Sequence, residues 1–397
     1  MHLRVFFLHK RAIFARLAFM NSPPLRIHCD LSLDWRFGRD VFNGILEAQQ
    51  SGQWHWGMTC HLWNIDDVWS LPRDQPPQGV IGLFNRPSIL KEWLTDDVPI
   101  VNVSALETGH PRVHTVTVDN PAVGRMAADH LLERGFHSFA WIRFPAIRAA
   151  NIRGTAFQEV VSPRGAVREH SWSTPEEMAR FLKDLPSLTG IFCPTDTLAR
   201  YVVTSLIQLN RPVPEEFAVI GVDDDPIHNA LSPVPLSSID IRPREIGRIA
   251  AETLHDLLRG RKRPKTVLVS PGGVIARRSS DLYAINDPAV SAVLRRIRDL
   301  VAGHARTADV LRPEDGARRT LERKFRTLLG RSIEEEIRRQ RMELAREMLL
   351  DTRLSVEEVA DRCGYANAPH FSRSFKTAHG ISPSAYRLRN GRGPSPL

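Results

Sequence analysis

Cysteine is scarce: Cys29, Cys60, Cys193 and Cys363 are the four in 397 residues. No two form a CxxC pair, and none stands with histidines at zinc spacing. A disulfide framework and a zinc site are thereby excluded as organising elements, and buried, reduced thiols in a cytoplasmic protein are expected. No apolar run approaches the ~18 residues that cross a bilayer, so no spanning helix and no membrane partner are expected. A P-loop and a GxSxG elbow are also missing. With no catalytic constellation in sight, no enzymatic activity, metal or cofactor is expected.

Charge is present but uneven. The net charge is +9, and residues 291–397 carry 22 basic against 14 acidic side chains, while the rest is nearly balanced at 32 to 31. A neutral body with a basic C-terminal module points to a polyanion partner for that module alone. Arginine dominates the module, and its planar fork suits phosphates and guanine edges better than lysine does.

The opening stretch "MHLRVFFLHKRAIFARLAFM" is basic and apolar like a targeting peptide. However, Arg4, Lys10, Arg11 and Arg16 break every apolar run short of a signal core, and no small-residue cleavage site follows. Residues 1–24 read as a disordered or misassigned leader, with Met20 as an alternative start.

Residues 25–285 alternate strand-like and helix-like segments. Short apolar runs, "LRIHCDL", "GVIGLF", "PIVNVS", "HTVTVD", "FAWIRF", "GIFCP" and "FAVIGVD", read as buried strands. Between them, Val123, Met126, Ala127, His130 and Leu131 form one helical stripe, and Ile246, Ile249, Ala250, Leu254 and Leu257 another; Gly135 and Gly260 end the two helices. Strands alternating with helices mean parallel α/β architecture, and a segment of this length splits into two lobes with a cleft at the strand C-termini. Eight tryptophans are a rich supply. Trp35, in the loop after the first strand, offers an aromatic platform for a sugar ring, or else a rim or core position. Trp54, Trp56, Trp63 and Trp69 read as strand faces and packing.

Four stretches, "VTVDNPAVGRMAADHLLERGF", "GIFCPTDTLAR", "FAVIGVDDDP" and "PLSSIDIRPREIGRIAAETLHDLLRG", resemble, in order, the ligand domains of LacI-type repressors. The resemblance covers roughly residues 25–280 and implies a two-lobed periplasmic-binding-protein-like fold closing on a small sugar. It carries over to Asp119, Arg153, Thr195, Asp196 and Asp223 as ligand contacts. Carboxylates accept from sugar hydroxyls and arginine donates to sugar oxygens. Each aspartate has a structural alternative as a helix N-cap. Thr195 stands where the family more often has asparagine. Asp224 and Asp225 are expected in solvent.

Residues 288–390 read as all-helical. "DPAVSAVLRRIRDLVAGHA" turns Val290, Val293, Leu294, Ile297 and Val301 inward. A helix over about 318–329 places Leu321, Phe325 and Leu328 on one stripe, with Arg318, Arg319, Glu322, Arg323 and Arg326 off it. Ser332 and Glu335 form a capping box ahead of a helix of about 20 residues. "LSVEEVADRCGY" is a short helix capped by Ser355 and turned by Gly364. Phe371 and Phe375, four apart, anchor the next helix, while Asn367, Ala368, His370, Ser372, Arg373 and Lys376 face elsewhere. A short helix, a glycine turn and a helix with a polar outer face make a helix-turn-helix, whose second helix enters the major groove of double-stranded DNA.

This module resembles the AraC/XylS-type DNA-binding domain, two helix-turn-helix units joined by a long helix. Ala317 departs from it, standing where a serine often caps the first reading helix, and Pro313 and Gly316 sit in the turn. A LacI-like sensor followed by an AraC-like reading head is similar to the order in xylose-operon regulators. It implies a transcription regulator, expected to activate, that senses a small sugar such as a pentose, acts as a homodimer and meets RNA polymerase. The alternative, a sugar-binding transport or receptor protein, needs a signal peptide and no basic module.

Overall fold

In a computed structural model, residues 23–60, 76–85, 87–94, 98–106, 108–281, 283–284, 287–302, 306–351 and 354–390 are described. Nearly all of the expected leader, Trp63, Trp69 and the tail 391–397 lie outside these residues. The chain divides into two compact units. One runs up to Leu132 and includes His137–Ser280; the other takes Glu133–Phe136 and the chain from Asp281 on.

In the first unit, β1 (Leu25–Asp30) leads to α1 (Arg36–Gly52), β2 (Trp56–Cys60), β3 (Gly79–Gly82), α2 (Pro87–Trp93), β4 (Ile100–Asn102) and β5 (Val113–Val118). Then come α3 (Asn120–Leu132), β6 (Ser138–Arg143), α4 (Arg148–Val161), β7 (Ala166–Ser171), α5 (Pro175–Lys183), β8 (Thr189–Phe192) and α6 (Asp196–Gln208). β9 (Phe217–Val222), α7 (Pro226–Leu231), β10 (Ser237–Asp240), α8 (Pro243–Leu258), β11 (Thr266–Val269) and β12 (Gly273–Ile275) complete the unit.

These strands form two sheets, in the orders β11-β5-β4-β3-β1-β2 and β12-β10-β9-β8-β6-β7. Every pairing is parallel except β10 with β12. β3, β4, β8 and β9 are buried along their whole length, which is why their sequences are nearly all apolar, with Asn102 of β4 and Thr189 of β8 as buried polar exceptions. The chain changes sheets three times: after β5, after β10 and between β11 and β12. At these passages the Asp119 N–H donates to the Val269 carbonyl (2.9 Å), and the Gly272 N–H to the Asp240 carbonyl (2.7 Å). As a result α3, although it follows a strand of the first sheet, packs on the second, and α8 returns to pack on α1 and the first. Of the four thiols, Cys29, Cys193 and Cys363 are buried and Cys60 only half-buried; burial pushes Cys29 and Cys363 up to about 12.

The second unit is helical: α9 (Pro288–Leu300), α10 (Thr307–Val310), α11 (Arg318–Leu329), α12 (Ile333–Asp351), α13 (Val356–Arg362), α14 (Ala368–His379) and α15 (Pro383–Asn390). It holds two cores. One joins α9 and α11 to the first half of α12 around Leu321 and Phe325. The other joins the second half of α12 to α13 and α14 around Phe371 and Phe375. The helix boundaries follow from capping. Ser332 and Glu335 cap α12 reciprocally, as Ser355 and Glu358 cap α13. Gly330 and Gly380 end α11 and α14 in the left-handed region, at φ 71° and 78°. α11 begins at Ala317 without a side-chain cap.

One apolar expectation fails. Leu328 is 49% exposed, because Leu329 takes the place against the core at the last turn of α11. Phe375→Ala is therefore expected to lower the stability of the second unit by about 3–5 kcal/mol. Leu328→Ala should change it by less than about 0.5 kcal/mol. Urea unfolding of the full chain followed by circular dichroism compares the two; equal losses would mean that the exposure of Leu328 is misjudged.

Candidate functional site

Arg153 is the best-defined polar feature of the first unit. It lies on α4, 5% exposed. Its Nε donates to Asn120 Oδ1 and its Nη1 to the Pro194 carbonyl, both at 2.8 Å. Its Nη1 also stands 3.7 Å from Asp223 Oδ1. Two glycines allow this placement: a Cβ on Gly124 of α3 would lie 2.1 Å from the Arg153 carbonyl oxygen, and a Cβ on Gly154 1.9 Å from the Trp141 ring. Only hydrogen at these positions lets α3, α4 and β6 approach closely enough to hold the guanidinium.

Asp223 follows β9. Its N–H donates to the Ile239 carbonyl at 3.0 Å, and its own carbonyl accepts from Arg36 Nη1 at 2.6 Å. Asp223 and Asp224 both adopt positive φ, 107° and 49°, a conformation costing roughly 1–3 kcal/mol per non-glycine residue and concentrated at functional sites. Burial pushes the Asp223 carboxyl up to about 6, with Arg153 and Arg36 opposing. Burial likewise pulls Arg153 below its ordinary value, against Asp223 and Asp196.

Asp196 behaves differently. It is 2% exposed, its Oδ1 accepts from Ser238 Oγ and its Oδ2 from the Asp225 N–H, both at 2.7 Å. Burial and the neighbouring Asp223 raise its carboxyl well above the usual range. Each oxygen thus accepts from the protein, which gives Asp196 a structural role beside the sugar contact expected of it from sequence. Thr195 caps α6, accepting from the Leu198 N–H at 3.3 Å. Asp119 caps α3, accepting from the Ala122 N–H at 2.9 Å, with Arg125 at 3.9 Å. Asp224 is not solvated either, since Arg277, 8% exposed, donates to it at 2.8 Å; Asp225 caps α7. Trp35, at the start of α1, is 56% exposed, whereas Trp54 stacks on His255 at 4.1 Å and Trp56 is buried.

Asn120, Arg36, Ser238 and Arg277 were not singled out from sequence. Asn120 and Arg36 are direct neighbours of residues that were, and this adjacency is the one available signal. A cavity of about 780 Å³ opens on the α4 face beside Arg153, lined by Asn85, Leu106, Pro121, Arg148, Asn151 and Glu159 among others. Arg153 and Asp223 are not in its lining. Among the described residues no cluster of His, Cys, Asp or Glu suits a metal ion.

In the second unit Phe371 and Phe375 are fully buried, and His370, Arg373 and Lys376 are exposed on the other side of α14, with Ser372 half-exposed. Two of the expected readers also have roles in the helix itself. Asn367 is the N-cap, its Oδ1 accepting from the His370 N–H at 2.9 Å, and Ala368 packs partly against the core. On α11, Arg318, Arg319, Arg323 and Arg326 are exposed, and Glu322 pairs with Arg318 at 2.9 Å. A groove of about 1340 Å³ runs between α12 and α14, with Arg338, Arg341, His370, Arg373 and Thr377 in its walls.

Comparison with known proteins fits both halves. The family of periplasmic binding protein-like domains matches residues 128–280, and the helix-turn-helix domain family residues 317–389. The xylose operon regulatory protein of Escherichia coli (strain K12) is 33% identical over 371 residues, covering 88% of this chain and 94% of that protein. Its counterpart from Haemophilus influenzae is 29% identical over 372 residues, covering 89% and 95%. A solved structure described as that of the xylose-binding transcription activator xylR matches with a TM-score of 0.63 at 31% identity, covering 92% of this chain and 98% of that one. With both domains in this order and a relative of that identity along nearly its whole length, the chain belongs to the family of the xylose operon regulatory proteins, and is a DNA-binding transcription regulator with a sugar-binding domain ahead of its helix-turn-helix domain.

Proposed function

We propose that the first unit binds a pentose, D-xylose first among candidates, at Arg153 and Asp223, and that occupancy sets the affinity of the second unit for operator DNA read by α11 and α14. The observation that carries this reading is the buried Arg153 guanidinium 3.7 Å from the strained Asp223, at the C-terminal end of β9. A sugar hydroxyl placed there donates to the carboxylate and accepts from the guanidinium. The exposed Trp35 ring, next in sequence to Arg36, is available for the apolar face of the sugar. Asp119, Thr195 and Asp196 support the helices around the site. The relatives named for xylose support the choice of sugar. Activation through RNA polymerase and action as a homodimer belong to the same reading.

The site is tested with Asp223→Ala in a thermal-shift and calorimetric screen of pentoses and hexoses. Xylose should stabilise the wild type, by about 2.7 kcal/mol at 100 Kd. The variant should lose about 1.5–3 kcal/mol of binding free energy. A variant that keeps the wild-type Kd would refute the assignment.

The raised Asp223 carboxyl makes a pH prediction of definite sign. Binding needs the ionised acceptor, so with a folded value of about 6 the Kd should rise as pH falls through 6. The increase should be about tenfold between pH 7 and pH 5. Folding responds in the opposite sense. Because the folded value exceeds the unfolded one, Asp223 favours the ligand-free fold at low pH, and that contribution disappears as pH rises through about 6. Calorimetry at pH 5, 6 and 7 checks the binding arm; a pH-independent Kd would remove Asp223 from the site.

On the DNA side α12 has 19 residues, about 28 Å of rigid helix, near the ~34 Å of one DNA turn. The two reading helices then enter successive major grooves. Arg373, mid-helix and exposed, is assigned to a guanine edge, and Lys376, near the helix end, to a phosphate. Arg373→Ala should cost about 1–3 kcal/mol on the operator and relax preference at one base pair, whereas Lys376→Ala should weaken all DNA alike and lower the salt slope by about one. Titration of operator and scrambled DNA at several salt concentrations decides: equal weakening of both DNAs by Arg373→Ala makes that residue a phosphate clamp.

A further inference from the structure

Glu336 stands in the first turn of α12 and is fully buried. Its Oε1 accepts from Arg339 Nη2 at 2.7 Å and from Gln340 Nε2 at 2.8 Å. Its Oε2 accepts from Arg339 Nε at 3.0 Å and from Arg331 Nε. Arg331 lies between α11 and α12 and reaches a second partner, donating from Nη2 to the Tyr283 hydroxyl at 2.6 Å. That hydroxyl faces Glu336 Oε1 at 3.5 Å, which closes a triangle of acid, arginine and phenol. Tyr283 is buried and belongs to the core around Leu321 and Phe325. The triangle therefore ties one face of α12 to the half of the second unit that carries α11.

α12 is the helix that both cores share. Its Ile333 and Ile337 enter the core around Phe325, and its Met342, Ala345 and Leu349 the core around Phe371 and Phe375. A rotation of α12 in the first core carries the second core, and α14 with it, relative to α11. The two isoleucines alone would leave that rotation soft, because apolar contact is non-directional. A carboxylate shared by two guanidiniums and an amide is directional. Buried ionic clusters seldom add stability over an apolar replacement, and their best-attested use is to fix a register. The register at stake is fine, since one base-pair step moves a half-site by about 3.4 Å and turns it by about 35°.

We propose that Glu336 and Arg331 are positioning residues for DNA reading: they lock the rotation of α12 against the first core and so set the spacing at which α11 and α14 together accept two half-sites. They act through α12 and not on the bases. The proposal rests on the reading in which α11 and α14 enter successive major grooves, and it does not involve the sugar site.

The test uses the full chain and a DNA fragment selected by the wild-type protein from a random pool, with D-xylose present throughout. Hydroxyl-radical footprinting marks the two protected grooves, and further fragments carry one base pair inserted or deleted between them. Fluorescence anisotropy gives the affinity for each. The wild type should lose at least about tenfold on either altered spacing. Glu336→Gln keeps the size of the side chain and removes its charge. Arg331→Gln, at a half-buried position, removes the tie to Tyr283 and leaves Glu336 with Arg339. Each variant should bind the selected fragment within about tenfold of wild type, while the penalty for altered spacing falls below about threefold. A base-pair change inside one half-site should cost the variants what it costs the wild type, because the reading side chains are untouched. Circular dichroism checks that the helices are retained, and if Glu336→Gln loses them, Arg331→Gln decides alone. A full spacing penalty in the folded variants would overturn the positioning role. So would an equal loss on every DNA, which would make the cluster a structural support only. A wild type that is indifferent to spacing, or that protects a single groove, overturns the two-groove reading and the positioning role with it.

Discussion

A guanidinium buried to 5% exposure governs the chemistry of the sensing unit. Arg153 cannot be deprotonated at ordinary pH, and a buried unpaired charge costs more than the fold can spare. It is therefore held by Asn120, by the Pro194 carbonyl and, more loosely, by Asp223. The loose contact matters most. At 3.7 Å the Asp223 pair falls short of a good hydrogen bond, and the carboxylate keeps some exposure. Asp196 and Asp224 stand close by, each tied down by partners of its own. Burial drives the Asp196 and Asp223 carboxyls upward. Hydroxyl donors stabilise a buried carboxylate, which is a physical reason to look for a polyol rather than an anion beside Asp223.

How much of this could be read in advance depends on whether the signal is local. Runs such as "GVIG" and "FAVIGV" announce buried strands because parallel strands covered on both faces leave no room for polar residues. β10, "SSID", has no such signature, yet Ser237 and Ser238 are fully buried. Ser237 bonds to Ser279 and Arg277, and Ser238 to Asp196, partners about 40 residues away that no local window reveals. β7 is an edge strand with mostly exposed side chains and lacks an apolar pattern altogether. In the site, the residue types were legible while their allocation was not. Asp196 and Asp223 look alike in sequence, each at the end of a buried strand. What separates them is their partners: Asp196 accepts from Ser238 and from the Asp225 N–H at 2.7 Å, whereas the Asp223 carboxylate meets Arg153 only at 3.7 Å.

The reading head was more legible because its signals are short-range. Capping boxes act over three residues, the glycine terminators over one, and the Phe371–Phe375 anchor over four. The apolar expectation that fails there, Leu328, lies at a helix end, where the periodic rule that sorts inner from outer faces gives way to the edge of the core. Asn367 is polar and exposed as expected, but its oxygen is committed to the backbone, which leaves its amide donors as the part free to meet DNA.

The two buried polar centres differ in kind. Around Arg153 the contacts are partly slack, and a site of that sort gains by taking up a ligand. Around Glu336 the surroundings are nearly saturated. Burial raises that carboxyl, but Arg339 and Arg331 outweigh burial and hold it below its usual range. An apolar replacement of such a cluster is often as stable or more so, so stability alone does not account for it. An apolar contact tolerates small rotations of α12 at little cost, whereas a carboxylate shared by two guanidiniums, an amide and a phenol does not. α12 contributes to both cores of the second unit, its first half to one and its second half to the other. The directional contact made by the acid and its arginines at the start of α12 therefore fixes the rotation of the one helix that both cores share.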